Sequence, residues 1–284
     1  ATDEQLGLAV FENLYDLFRA MAGTLPKSEL VEEEKLSYHL TFPTNPMFKG
    51  VWNARLSASE ADQIIDLIIA WFKEKNAPYF FWWTGGYTLS ADLEERLAKR
   101  GMISMVEQTQ ELAKGIHSTA QGSPCMIAEL SKMNESVLDK TPPGFVIKEI
   151  ENEAELYDFK KVFVETYEIP AWAGQAWVDA TLKIGIGKTR WRMFVGYLNG
   201  EPVATNMLFN CGGVASVYAV ATLPSAQGKG IGAAITLKPL LDARDKDGYV
   251  YAVLFSSEMG VKIYQRIGFR MTDVRINRYL WRNG

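Results

Sequence analysis

A chain of 284 residues is long enough for one large or two ordinary domains, and 48% hydrophobic with 23% charged residues is an ordinary globular composition. A formal net charge of −4 argues against a nucleic-acid surface, and two distant cysteines, Cys125 and Cys211, argue against a disulfide framework. No apolar run reaches membrane-spanning length and the start, Ala1-Thr2-Asp3-Glu4, is acidic, so the expectation is a cytoplasmic chain with no membrane or nucleic-acid partner, monomeric or homodimeric. The two histidines, His39 and His117, form no metal constellation, and no metal is expected.

In chain order, Thr2-x-x-Gln5 reads as a capping box opening an amphipathic helix through Leu6, Val10, Leu14, Phe18 and Met21, which Gly23 and Pro26 end. Leu36 to Phe42 and Val51 to Leu56 read as strands. Ser57 or Ser59 is the expected cap of a helix with core positions Ile64, Ile65, Ile68 and Phe72. Pro78 to Trp83 reads as a central strand, and Ser90 opens a short helix ending near Met102. Breakers at Gly115, Gly122 and Pro124 surround a candidate strand, Cys125 to Leu130, and the run Asp139 to Gly144 is the expected domain boundary.

The second half starts with strand Phe145 to Ile150 and helix Glu153 to Tyr167, stopped at Glu168-Ile169-Pro170. Arg190 to Leu198 and Pro202 to Cys211 read as a hairpin about Asn199-Gly200. The strand Val217 to Thr222 then runs through Pro224 into Gln227-Gly228-Lys229-Gly230-Ile231-Gly232-Ala233, which opens a helix that Pro239 should kink and Gly248 should end. Strand Tyr249 to Phe255, the segment Ser257 to Phe269 and a last strand, Asp273 to Trp281, complete the chain.

A glycine loop between a strand and a helix N-terminus is an anion cradle, because backbone N–H groups can crowd one ligand and the helix dipole favours negative charge. A phosphate or pyrophosphate is the expected guest. A P-loop is excluded because Lys229 is followed by Gly230. Gly228, Gly230 and Ala233 fit a dinucleotide fingerprint literally, but only 51 residues follow, too few for a doubly wound sheet.

Gln227-x-x-Gly230-x-Gly232 resembles the Q/R-x-x-G-x-G/A signature of the GCN5-related N-acetyltransferase (GNAT) superfamily. Ser257 to Phe269 resembles that family's closing motif, with Tyr264, Gly268 and Phe269 matching, Ser257 where Asn is common and Gly260 where Ala is common. The resemblance is tight over about residues 200–270. It implies an α/β fold with a mixed α+β sheet and acetyl-CoA as acyl donor. Gln227, Gly228, Lys229, Gly230, Ile231, Gly232, Ala233 and Ser257 would lie about the donor, and Val220, Ala221 and Thr222 along its pantetheine arm. A main-chain N–H near Val220 would polarise the thioester carbonyl. Tyr264 is the implied general acid. The strand Val217 to Thr222 carries no glutamate, so the base is left between Glu168, Glu258 and water.

The order strand, helix, strand, helix, Gly-apolar recurs in residues 51–102, so the chain reads as two GNAT-like halves, each a mostly antiparallel sheet flanked by helices. Residues 1–140 are expected to be degenerate, without the acetyl-CoA loop, and residues 144–284 catalytic. The expected function is acetyl transfer to a small-molecule primary amine such as an amino acid, a polyamine or an aminoglycoside-like antibiotic. The alternative is a silent acetyl-CoA sensor or scaffold.

Overall fold

A capping box opens the chain as its sequence demands: the Thr2 N–H donates to Gln5 Oε1 at 2.9 Å and the Gln5 N–H to Thr2 Oγ1 at 3.2 Å, starting helix α1 (Asp3–Ala22). The computed structural model describes residues 1–25, 27–41, 48–86, 92–105 and 122–283, the side chain of Glu258 apart. Phe42, Ser90 and His117 lie outside the described residues. The chain forms two compact units, Ala1–Leu17 with Cys125–Thr272, and Phe18–Pro124 with Asp273–Gly284. Both are discontinuous in sequence, unlike the division at residues 140 and 144 expected from the breakers. Glycine and proline punctuate a chain locally; they carry no information about a terminal segment that pairs far back in sequence.

The first unit holds strands β6 (Ser123–Glu129), β7 (Phe145–Glu149), β8 (Trp191–Leu198), β9 (Glu201–Cys211), β10 (Val214–Thr222) and β11 (Tyr251–Phe255), in the order β6-β11-β10-β9-β8-β7. Only β10 and β11 run parallel. Helix α4 (Glu153–Tyr167) is N-capped by Asn152, whose side chain accepts from the Glu155 N–H, and is followed by α5 (Ala171–Ile184). Helix α6 (Ile231–Asp247) joins β10 to β11, and α7 (Glu258–Ile267) follows β11. The β8–β9 turn is Asn199-Gly200, with φ of 52° and 88°, the left-handed pair the Asn-Gly signal requires. Leu208, Val217, Ile231, Ile235, Leu240 and Phe269 are among the core residues.

In the second unit the order is β1 (Glu29–Glu32), β2 (Ser37–Leu40), β3 (Lys49–Trp52), β4 (Tyr79–Gly85) and β12 (Arg270–Arg282), with the short β5 (Ile103–Ser104) also on β12. Again one pair is parallel, β3 with β4, and again a helix, α2 (Ala61–Glu74), joins the two strands. Helix α3 (Leu93–Lys99) follows β4. Where β3 and β4 stop pairing, after Val51 and Trp82, the indoles of Trp52 and Trp83 stack at 4.7 Å with planes 13° apart. The junction that in the first unit leads into a glycine loop is here filled by aromatic rings.

Two local expectations change. Helix α2 starts at Ala61, later than a Ser57 or Ser59 cap would place it. Glu60 is the N-cap and its carboxylate folds back to accept from the Ser57 N–H at 2.8 Å. The expected strand Val51 to Leu56 ends at Trp52, because Asn53 adopts a left-handed φ of 55°. Pro239 lies inside helix α6. The carbonyl that Pro239 cannot bond belongs to Ile235, four residues earlier, and Asn206 Nδ2 donates to it at 2.7 Å.

Candidate active site

Strand β10 is where the site is built. It pairs with β9 in register down to Tyr218 opposite Met207 and resumes at Ala221 opposite Thr205. Ala219 and Val220 therefore face a single residue, Asn206, which makes a β-bulge, and Ala219 takes a φ of 49°. A bulge removes carbonyls from the ladder, and here two side chains take them. The Thr205 hydroxyl, on a fully buried residue, donates to the Ala219 carbonyl at 2.8 Å, and the Tyr167 hydroxyl donates to the Val220 carbonyl at 2.9 Å. On its other edge β10 pairs with β11 only from Val214–Tyr251 to Ser216–Val253. Beyond that point the two parallel strands no longer pair, which leaves a gap in the ladder edged by backbone.

The glycine loop closes one end of that gap. After Pro224–Ala226, a 3₁₀ turn, Gly228 and Gly230 take φ of 74° and 78°. A Cβ on Gly230 would lie 2.9 Å from the Lys140 carbonyl oxygen, so both conformation and space reserve this position for glycine. Gly230 is also the N-cap of α6, and the first intrahelical bond runs from the Ala234 N–H to the Gly230 carbonyl. Helix geometry leaves the N–H groups of Ile231, Gly232 and Ala233 without intrahelical acceptors. The side chains of Ile231 and Ala233 are buried in the core, and the first turn carries no acidic residue. Such a terminus suits an anionic oxygen. Gln227 Nε2 donates to the Thr222 carbonyl at 3.0 Å and Lys229 Nζ to the Ser225 carbonyl at 2.9 Å, so both side chains fold over the loop itself.

Helix α7 reaches the same place. A Cβ on Gly232 would sit 3.5 Å from Thr222 Oγ1 and 3.8 Å from Ile263 Cδ1, an ordinary contact distance that brings β10, α6 and α7 together. Ser257 caps α7, accepting from the Gly260 N–H at 3.4 Å. Tyr264, one residue beyond Ile263, packs edge-on against Phe269 at 6.0 Å. Burial, then the neighbouring Tyr167 phenol, push the Tyr264 phenol well above its ordinary value. Burial also lifts Tyr167 to about 12, although half of that residue's surface faces solvent. Tyr167 thus stands on the bulge as a protonated phenol, with the Tyr264 phenol near enough to feel it.

The family model for the acetyltransferase (GNAT) domain matches residues 189–271, from the start of β8 to the start of β12. Over those residues the chain is similar to a GNAT domain. Among solved structures, a GCN5-related N-acetyltransferase from Kribbella flavida superposes with a TM-score of 0.70 at 15% identity, over 97% of this chain and 96% of that one. A counterpart from Sphaerobacter thermophilus gives 0.62 at 13%, over 100% and 95%. A tandem GNAT protein from the clavulanic acid biosynthesis pathway, solved without AcCoA, gives 0.58 at 11%, over 96% and 95%. These likenesses establish the fold across nearly the whole chain, a mixed α/β architecture. No curated protein sequence matches this one.

Of the residues the GNAT resemblance pointed to, Val220, Ala221, Thr222, the loop Gln227–Ala233 and Tyr264 come together at the end of β10. Ser257 acts as a helix cap. Glu168 stands in the left-handed position that ends α4, with φ of 50°, and is exposed next to Tyr167. The side chain of Glu258 lies outside the described residues. Gly260, where the GNAT motif prefers alanine, has a local reason: a Cβ there would lie 2.8 Å from Tyr264 Cε2 and 2.7 Å from Ser256 Oγ. Sequence reasoning missed Tyr167, Thr205 and Asn206. Each meets its partner across 14 or more positions, 53 for Tyr167, and no spacing rule reports that.

No described helix is long and apolar enough to cross a membrane. Among the described residues no group of three His, Cys, Asp or Glu could hold a metal ion.

Proposed function

We propose that this protein is an acetyl-CoA-dependent N-acetyltransferase acting on a primary amine of a small molecule. The observation that carries the reading is the convergence, at the end of β10, of a glycine-reserved helix N-terminus, a backbone gap beside the bulge, and the partly buried Tyr264. The residues fit the donor: the first-turn N–H groups of Ile231, Gly232 and Ala233 have no intrahelical acceptor and no acidic side chain beside them, which suits a pyrophosphate. Acetyl-CoA supplies an activated acetyl thioester.

The protein's own contribution is then binding, orientation and one proton. Backbone groups of Val220, Ala221 and Thr222 would hold the pantetheine arm as an added strand, and the Val220 N–H would face the thioester carbonyl oxygen. The amine attacks as the free base, giving its proton to water or to the exposed Glu168. Tyr264 Oη would deliver a proton to the departing sulfur. A phenol above pKa 10 is a weak acid, but a thiolate formed in the same desolvated place is also a stronger base than in water.

The test is calorimetric titration with acetyl-CoA, followed by CoA-thiol release against amino acids, polyamines, aminoglycosides and a lysine peptide. Binding with release for one small-amine class is the expected result. Binding without turnover of any amine would favour the sensor reading, and absence of binding would remove the proposal.

A further inference from the structure

We infer that Thr205 and Tyr167 are positioning residues that aim the Val220 N–H at the thioester carbonyl; this rests on the acyltransferase reading above. A trans peptide is planar, and its N–H points opposite to its C=O. The Val220 N–H shares a peptide plane with the Ala219 carbonyl. That carbonyl is held by Thr205, which belongs to β9, so the Val220 N–H points away from β9. The side away from β9 is the β11 side, where β10 and β11 have stopped pairing after Ser216 and Val253. The donor is therefore turned into the gap, and its direction is fixed by one hydroxyl on a fully buried residue.

Tyr167 does the complementary work. A free Val220 carbonyl would be an acceptor beside the place where negative charge develops. Tyr167 Oη donates to it at 2.9 Å and so neutralises that acceptor. Because the Tyr167 phenol is protonated through the working pH range, the bond persists. Neither side chain need touch the donor's reacting atoms. Without them a residue at a φ of 49°, Ala219, has nothing to hold its peptide in the unusual orientation.

The experiment compares acetyl-CoA with CoA, which lacks the carbonyl, in Thr205→Val, Thr205→Ser and Tyr167→Phe. The expected result is that Thr205→Val and Tyr167→Phe weaken acetyl-CoA by about fivefold to tenfold, the loss of one well-aimed hydrogen bond, with CoA nearly unchanged. Thr205→Ser keeps the hydroxyl and should restore wild-type affinity. With carbonyl-labelled ¹³C-acetyl-CoA, the infrared C=O band of the bound donor should lie below its solution position in wild type. It should move back up in both weakened variants. Equal weakening of both ligands, or an unmoved carbonyl band in variants that melt as cooperatively as wild type, would overturn the inference. If wild-type protein binds neither ligand, the acyltransferase reading itself fails and takes this with it.

Discussion

Asn206 Nδ2 donates to the Ile235 carbonyl at 2.7 Å, and that bond explains how a proline sits inside α6. Pro239 has no N–H for Ile235, and both Asn206 and Ile235 are fully buried, so an unmade bond here would be costly. The same Asn206 faces the bulge from β9, so one residue serves the bulge and the helix that follows it. Asn206→Leu should destabilise the protein by about 1–3 kcal/mol, the range for a buried acceptor left unsatisfied. Pro239→Ala supplies the missing N–H and should recover much of that loss in the double variant. Urea denaturation of the four-member cycle checks this; additive effects would mean that the two sites are energetically independent.

Two glycines of the loop should respond differently to alanine. At Gly230 a Cβ meets the Lys140 carbonyl at 2.9 Å and the φ is 78°; at Gly232 the nearest atom is 3.5 Å away and the backbone is helical. Gly230→Ala should therefore lower acetyl-CoA affinity by more than about tenfold, while Gly232→Ala changes it by less than about threefold. Calorimetric titration of both variants decides it, with circular dichroism confirming that α6 remains.

Tyr264→Phe should leave acetyl-CoA affinity within about twofold and cut kcat by roughly 10²-fold or more, the usual scale of general-acid catalysis. The wild-type pH profile carries a sign. A general acid must be protonated, and the Tyr264 pKa is raised above 10, so no basic limb from this group should fall below pH 10. A limb near pH 8 that survives in the phenylalanine variant belongs to another group. Gly260→Ala, which would press a methyl onto the Tyr264 ring, should lower kcat without removing the phenol.

The parts of the site that lie within a few residues of one another were legible in the sequence. Gly228 and Gly230 stood in a glycine loop between a strand and a helix, Tyr264 in a segment resembling the GNAT closing motif, and Asn199-Gly200 in a hairpin signal. What the sequence hid are bonds closed by the fold. Asn13, on α1, is fully buried and donates to the carbonyls of Phe209 and Cys211, and its Oδ1 accepts from Tyr218 Oη at 2.6 Å. Nothing in an amphipathic helix distinguishes an asparagine that bonds a strand about 200 positions away from one that faces water. For the same reason the last strand was expected from Asp273, whereas β12 begins at Arg270 and changes unit within its own length.

Asn13→Leu therefore should destabilise the first unit by about 2–4 kcal/mol, since two carbonyls and one phenol lose a buried partner at once. Asn13→Asp keeps the acceptor for Tyr218 but puts an acceptor against two carbonyls, and should be no better. Denaturation followed by tyrosine absorbance of Tyr218 and by far-ultraviolet dichroism measures this. A loss below about 0.5 kcal/mol for Asn13→Leu would mean that α1 is held by its apolar face alone.

His39 gives the second unit a pH dependence of definite sign. It is fully buried, stacks on Phe18 at 5.8 Å, and its Nδ1 accepts from Trp52 Nε1 at 3.1 Å. Burial first, then the charge of the buried Lys49, lower its pKa from 6.5 to about 3. A base whose folded pKa lies below its unfolded value stabilises the fold fully above pH 6.5 and progressively less below it, until the folded form also takes up the proton near pH 3. Protonation at Nδ1 also removes the acceptor that Trp52 uses. At pH 5 the loss is about 2 kcal/mol, one and a half pH units at 1.4 kcal/mol each. Lys49, itself lowered by burial to about 8, lies 5.5 Å from the Tyr79 ring centre. Lys49→Met removes an ammonium that burial disfavours and should stabilise the unit at pH 7 by on the order of 1–3 kcal/mol. It should also raise the His39 pKa and narrow the acid-labile window. Thermal melts of wild type, Lys49→Met and His39→Phe from pH 4 to pH 8 test both statements: the phenylalanine variant should lose most of the slope between pH 6.5 and 4, and an unchanged slope would assign it to other groups.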